Sequence, residues 1–125
     1  MTTGTILHRR ILIDLVLRGF GDQEAELEFV LDTGFTGVLT MPPSVCEALE
    51  LQYIRPQPAN LADGSSVVLE VYQAALVWHS GVYDVEVLAM EGAPLIGMTL
   101  LEDSEVRFQG REGGFASIKP LTEID

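Results

Sequence analysis

At 125 residues, 47% of them apolar, the chain has the length of one domain spanning 1–125 and the composition of one that folds around a core, which excludes an intrinsically disordered segment. Nineteen acidic against seven basic residues leave a net charge of -12, a surface that repels phosphate backbones and so excludes nucleic acid and anionic membrane as expected partners. A single cysteine, Cys46, rules out an internal disulfide and reads as a small buried apolar residue.

The start, Met1-Thr2-Thr3-Gly4, lacks the basic and apolar regions of a signal peptide. No apolar run approaches the roughly 20 residues that cross a bilayer. A cytoplasmic protein is the expectation. His8 and His79 are the only histidines, and neither has a Cys or Glu at ligand spacing, so no metal and no cofactor is expected. Both read as surface or turn residues.

In chain order, alternation comes first. Ile11, Ile13, Leu15 and Leu17 fall on one face of a strand, and Arg10, Leu12, Asp14, Val16 and Arg18 on the other. Gly19-Phe20-Gly21-Asp22 reads as a turn, and Ala25 to Leu31 completes a hairpin. That strand runs into Asp32-Thr33-Gly34-Phe35-Thr36-Gly37, followed by a short strand, Val38-Leu39-Thr40. Met41-Pro42-Pro43-Ser44 opens a short helix ending near Leu51, with Val45, Ala48 and Leu49 at the spacing of a buried face.

Pro56 and Pro58 break up the next stretch. Asp63-Gly64 predicts a hairpin turn, with long strands from Val67 to Trp78 and Val82 to Met90 around the turn His79-Ser80-Gly81. Trp78 reads as a core or interface anchor. Ala93 to Glu102 reads as a strand end, a glycine and one or two helical turns, with Glu102-Asp103 a solvated helix end. Val106-Arg107-Phe108 and Phe115 to Ile118 make a last strand pair around a glycine-rich turn. The serines lack a Gly-x-Ser-x-Gly setting, so a serine hydrolase has no support.

The sharpest local signal is Phe29-Val30-Leu31-Asp32-Thr33-Gly34, an apolar strand running directly into a carboxylate. Taken alone, it also fits a plain turn after a buried strand. Gly34 permits a tight turn and a close backbone approach, and Thr33 brings a hydroxyl for local hydrogen bonds.

Leu31-Asp32-Thr33-Gly34 followed at a distance by Pro94-Leu95-Ile96-Gly97 resembles the retropepsin-like aspartic proteases, and Asp-Thr-Gly-Phe followed by Thr-Gly is similar to their small bacterial members. The resemblance runs from about Ile11 to Phe108. It implies an all-β, single-domain, closed β-barrel with one or two short helices that works as a homodimer. It implies an aspartic endopeptidase acting on a peptide or protein substrate, with Asp32, Thr33 and Gly34 as the catalytic loop. Asp32 of each subunit is then one of two catalytic carboxylates, Thr33 bonds across the twofold axis, and Leu95-Ile96-Gly97 packs behind the loop. Phe35 and the flap tip Ala62-Asp63-Gly64-Ser65 are the implied substrate-binding residues. Phe35 departs from the family, which commonly places Ser, Thr or Ala after this glycine.

Two adjacent carboxylates share one proton, so one is general base toward a water while the other donates to the scissile carbonyl oxygen. The alternative from a different class is a non-catalytic peptide- or partner-binding module that keeps the protease fold. A purely structural homodimer is a third reading.

Overall fold

The computed structural model describes residues 1–19, 21 and 23–123. Hydrophobic alternation becomes strands: β1 (Thr2–Leu7), β2 (Arg10–Arg18), β3 (Glu24–Leu31), β4 (Leu39–Met41), β5 (Gln52–Asn60), β6 (Ser66–Trp78), β7 (Gly81–Ala89), β8 (Leu95–Ile96), β9 (Ser104–Phe108) and β10 (Phe115–Pro120). Among the described residues one short α-helix, α1 (Pro43–Ala48), interrupts them, and a three-residue 3-10 helix, Leu121–Glu123, follows β10. The chain is all-β, as its alternation predicts.

The strands form one sheet in the order β5-β6-β7-β4-β8-β3-β2-β1-β10-β9. A further antiparallel contact, Leu17 opposite Leu76 and Arg18 opposite Ala75, joins β2 to β6. The neighbours β2-β3-β8-β4-β7-β6 therefore return on themselves and enclose the core. Ile13, Leu15 and Leu17 from β2 meet Phe29, Leu39, Leu76 and Ile96 there, each at most 2% exposed. Burying each such side chain is worth about 1.5–3 kcal/mol. Leu12, on the opposite face of β2, is buried outside that cluster.

Tight turns set the registers. His8–Arg9 and His79–Ser80 both carry positive φ and connect β1 to β2 and β6 to β7 as two-residue hairpins, the twist that flanking strands favour. Both histidines thus sit in turns. The amide of Gly19 bonds the carbonyl of Gln23 at 2.9 Å across the β2–β3 connection. Of the turn predicted at 19–22, Phe20 and Asp22 lie outside the described residues.

The N-terminal segment, for which the sequence carries no strand expectation, is strand β1, held between β2 and β10. Three expectations need correction. Pro56 and Pro58 do not break the chain but lie in β5, opposite Glu70 and Val68. They are two residues apart, so both missing N–H groups point the same way. β5 ends the strand order, so that side needs no donor. The helix stops at Ala48, and its anchors are Cys46 and Leu49, with Ala48 exposed. Between Gly97 and β9 the chain makes successive turns and no helix, as in Glu102 N–H to Thr99 carbonyl and Ser104 N–H to Leu101 carbonyl.

Cys46 is fully buried on α1, and burial pushes its thiol up from 9.0 to about 11. Native protein at pH 8 should therefore resist a thiol reagent such as Ellman's and react fully once unfolded in urea. Because the folded-state value lies above the unfolded one, this thiol's contribution to stability is complete below pH 9 and is lost as pH rises toward 11. The urea midpoint of Cys46→Ala should fall less than that of the unsubstituted chain across that window.

Candidate active site

Asp32 is the first residue past β3, and the loop it opens is clamped by a segment more than sixty positions away in the chain. β8 inserts between β3 and β4, parallel to the first and antiparallel to the second. The amide of Asp32 donates to the Ile96 carbonyl at 2.9 Å, and Val30 N–H to the Pro94 carbonyl at 2.8 Å. On the loop's far side, Gly97, Met98 and Thr99 donate their amides to the carbonyls of Val38, Phe35 and Gly37 at 2.9, 2.8 and 3.1 Å. The Thr99 hydroxyl donates to the Thr36 carbonyl, and the buried Thr40 hydroxyl accepts from Leu95 N–H at 3.0 Å. A loop whose polar backbone is satisfied from both sides holds a fixed shape.

The carboxylate is oriented locally. Gly34 N–H donates to Asp32 Oδ1 at 2.8 Å, and Phe35 N–H to the Asp32 carbonyl at 3.1 Å, an Asx turn of the kind aspartate favours. Asp32 is half-buried, while Thr33 and Gly34 face outward. The loop therefore presents its catalytic candidates at a surface and anchors its rear in the sheet.

Phe35 is half-buried and turned onto two glycines. A Cβ built on Gly37 would lie 2.6 Å from Phe35 Cζ, and one on Gly97 would lie 2.6 Å from Phe35 Cδ2. Only glycine leaves room for this ring against the backbone. Phe35 thus packs the Asp32 loop to the Gly97 turn.

The predicted flap tip lies at the end of the β5–β6 hairpin, and Ala62, Asp63, Gly64 and Ser65 are all exposed. Its hydrogen bonds stay within the tip: Leu61 N–H to the Ser65 carbonyl, Gly64 N–H to the Leu61 carbonyl, and both the amide and hydroxyl of Ser65 to Asp63 Oδ1, at 2.9 and 2.6 Å. The Ser65 hydroxyl, then its amide, hold the Asp63 carboxyl below its usual value. Gly64 adopts a φ of 86°, which suits glycine.

Sequence reasoning placed Asp32–Phe35 and Leu95–Gly97 together, and they are together. It left out Thr40 and Thr99, whose hydroxyls tie the two segments. A threonine at the inner end of an apolar strand was the signal for Thr40, since a buried hydroxyl needs a partner. Among the described residues no group of three or more His, Cys, Asp or Glu side chains is placed to hold a metal ion, and no helix is long and apolar enough to cross a membrane. Comparison with protein-family models, with curated proteins and with solved structures returned no match.

Proposed function

We propose that the chain is one subunit of a homodimeric, retropepsin-like aspartic endopeptidase, its barrel formed by the returning strand order and its active site by two Asp32 loops. The observation that supports this most is the clamped loop: a carboxylate oriented by the Gly34 amide at 2.8 Å, backed by Ile96 and Gly97, and open to solvent at Thr33 and Gly34.

One chain holds one Asp-Thr-Gly, and Leu95-Ile96-Gly97 has no carboxylate in the matching place. A twofold contact supplies the second, because a symmetric interface brings the same loop from each subunit face to face. Thr33 and the exposed Met98, which flank the loop, are then covered by the partner. With one proton between the two carboxyls, the ionised Asp32 takes a proton from a water as its oxygen attacks the scissile carbonyl. The protonated Asp32 donates to the carbonyl oxygen, giving a tetrahedral diol that collapses with proton transfer to the leaving amine. The β5–β6 hairpin closes over the peptide, with Gly64 absorbing the bend.

Subunit mixing tests the arrangement. Specific activity per chain against a peptide library should fall as the protein is diluted through its dimer dissociation constant. Excess Asp32→Asn chain should suppress the unsubstituted chain, since each mixed dimer lacks one base. A sedimenting monomer that keeps full specific activity on dilution would sink the two-aspartate reading. A dimer that binds library peptides and cuts none would favour the binding module.

A further inference from the structure

The seven Lys and Arg side chains are not spread evenly over this acidic chain. Five of them, Arg9, Arg10, Arg107, Arg111 and Lys119, line two adjoining grooves at the β9 end of the sheet. Phe108, 56% exposed, is a wall of both grooves, and exposed Phe115 and Met1 extend the apolar surface of the second. The grooves measure about 220 and 360 Å³. A dry cavity of roughly 150 Å³ accommodates a benzene ring, so each groove has room for a large apolar side chain.

Two carboxylates share the region. Glu105 lies 2.5 Å from Arg107 Nε, and Glu112 accepts from the His8 amide at 2.8 Å. Among the described residues no ion pair ties Arg9, Arg10, Arg111 or Lys119 to a carboxylate. The patch keeps a positive excess on a chain of net charge -12.

Arg107 and Phe108 bring this patch to an open edge at β9, with Lys119 on the neighbouring β10. β9 ends the strand order, and among the described residues β10 is its only neighbour in the sheet. In an antiparallel ladder alternate residues turn their N–H and C=O groups away from the partner strand, so half of β9's main-chain groups face outward. At the other end of the sheet β5 carries two prolines; β9 has none.

We propose that β9 is a docking edge for a short extended segment of another protein in which acidic and apolar side chains alternate. The segment adds a strand to the sheet, sets its carboxylates against Arg107, Arg111 and Lys119, and places its apolar side chains beside Phe108. A symmetric contact with a second copy does not suit the patch, because it brings the same five cations face to face. A long polyanion does not suit it either, since beyond the patch it meets the acidic remainder of the chain. A short segment escapes that repulsion, because charges are screened over about 8 Å at physiological ionic strength. This docking stands apart from any chemistry at Asp32.

Fluorescence anisotropy on the Asp32→Asn chain tests it without hydrolysis intervening. The probes are labelled ten-residue peptides alternating Glu with Leu, Val or Phe, and matched peptides with Lys in place of every Glu. The acidic set should bind at least about tenfold more tightly than the basic set and more weakly as salt rises. Arg107→Glu with Lys119→Glu should weaken binding by about tenfold or more, and Phe108→Ser should weaken it too, both with unchanged melting temperature. Equal binding of the two sets, or an affinity that rises with salt, would overturn the proposal. So would a dimer dissociated by the charge reversal in sedimentation, or stronger retention of the chain by anionic phosphatidylserine vesicles than by the acidic peptides.

Discussion

Asp32→Asn should lower peptide hydrolysis by at least about 10³-fold while leaving the fold in place. Asparagine keeps the shape of aspartate, and its carbonyl oxygen still accepts from Gly34 N–H, so the Asx turn that shapes the loop survives. What it removes is the only atom pair in the loop able to take a proton from water. Circular dichroism and melting temperature should match those of the unsubstituted chain within a few degrees, and sedimentation should report the same species for both. The effect should therefore fall on kcat, with KM for a peptide substrate changing far less, because the substituted group acts on the transition state and not on ground-state binding. Undiminished hydrolysis by purified Asp32→Asn would show that another group carries the chemistry. A lost fold would instead mean that the charge itself stabilises the loop, which Asp32→Glu separates by restoring charge with an altered reach.

The fold and the loop were legible to different degrees, for separate physical reasons. β2, β3, β6 and β7 announce themselves through period-two alternation, because one face of each meets the core. β1 does not: its short run of Thr2, Thr3, Gly4 and Thr5 carries little apolar signal, and it becomes a strand by fitting between β2 and β10. β5 is masked by Pro56 and Pro58, which a central strand would exclude and an edge strand tolerates. The same applies at the loop. Asp-Thr-Gly is a visible motif, and Leu95-Ile96-Gly97 a second. The threonine hydroxyls that tie them, and the turn of Phe35 onto glycine backbone, arise only when segments distant in sequence meet. Phe35, expected to contact substrate, has a structural partner of its own, so its substitution will act on the loop's shape as well as on any bound peptide.

Gly97→Ala should be among the most damaging small substitutions in the chain. The added methyl would lie 2.2 Å from the Gly37 carbonyl oxygen and 2.8 Å from its carbon, as well as 2.6 Å from Phe35 Cδ2. The ring can rotate away; the backbone cannot, because Gly37 accepts from Thr99 N–H and Gly97 donates to Val38 at 3.1 and 2.9 Å. Relief of the clash requires those bonds to lengthen or break, leaving carbonyls beside the core without partners. Overpacking of this kind costs about 3 kcal/mol, which for a domain of this size lowers the melting temperature by roughly 12 °C. The double substitution Phe35→Ala with Gly97→Ala sorts the two contacts. Removing the ring should recover part of the loss, as expected for residues in direct contact, and the backbone clash should keep the remainder. Because the loop rests on this turn, surviving Gly97→Ala protein should lose hydrolysis out of proportion to its unfolded fraction, measured at a temperature where it is still folded. A melting temperature unchanged by Gly97→Ala would mean that the Asp32 loop and the Gly97 turn do not lie in contact, and the clamped geometry on which the candidate active site rests would fall with it.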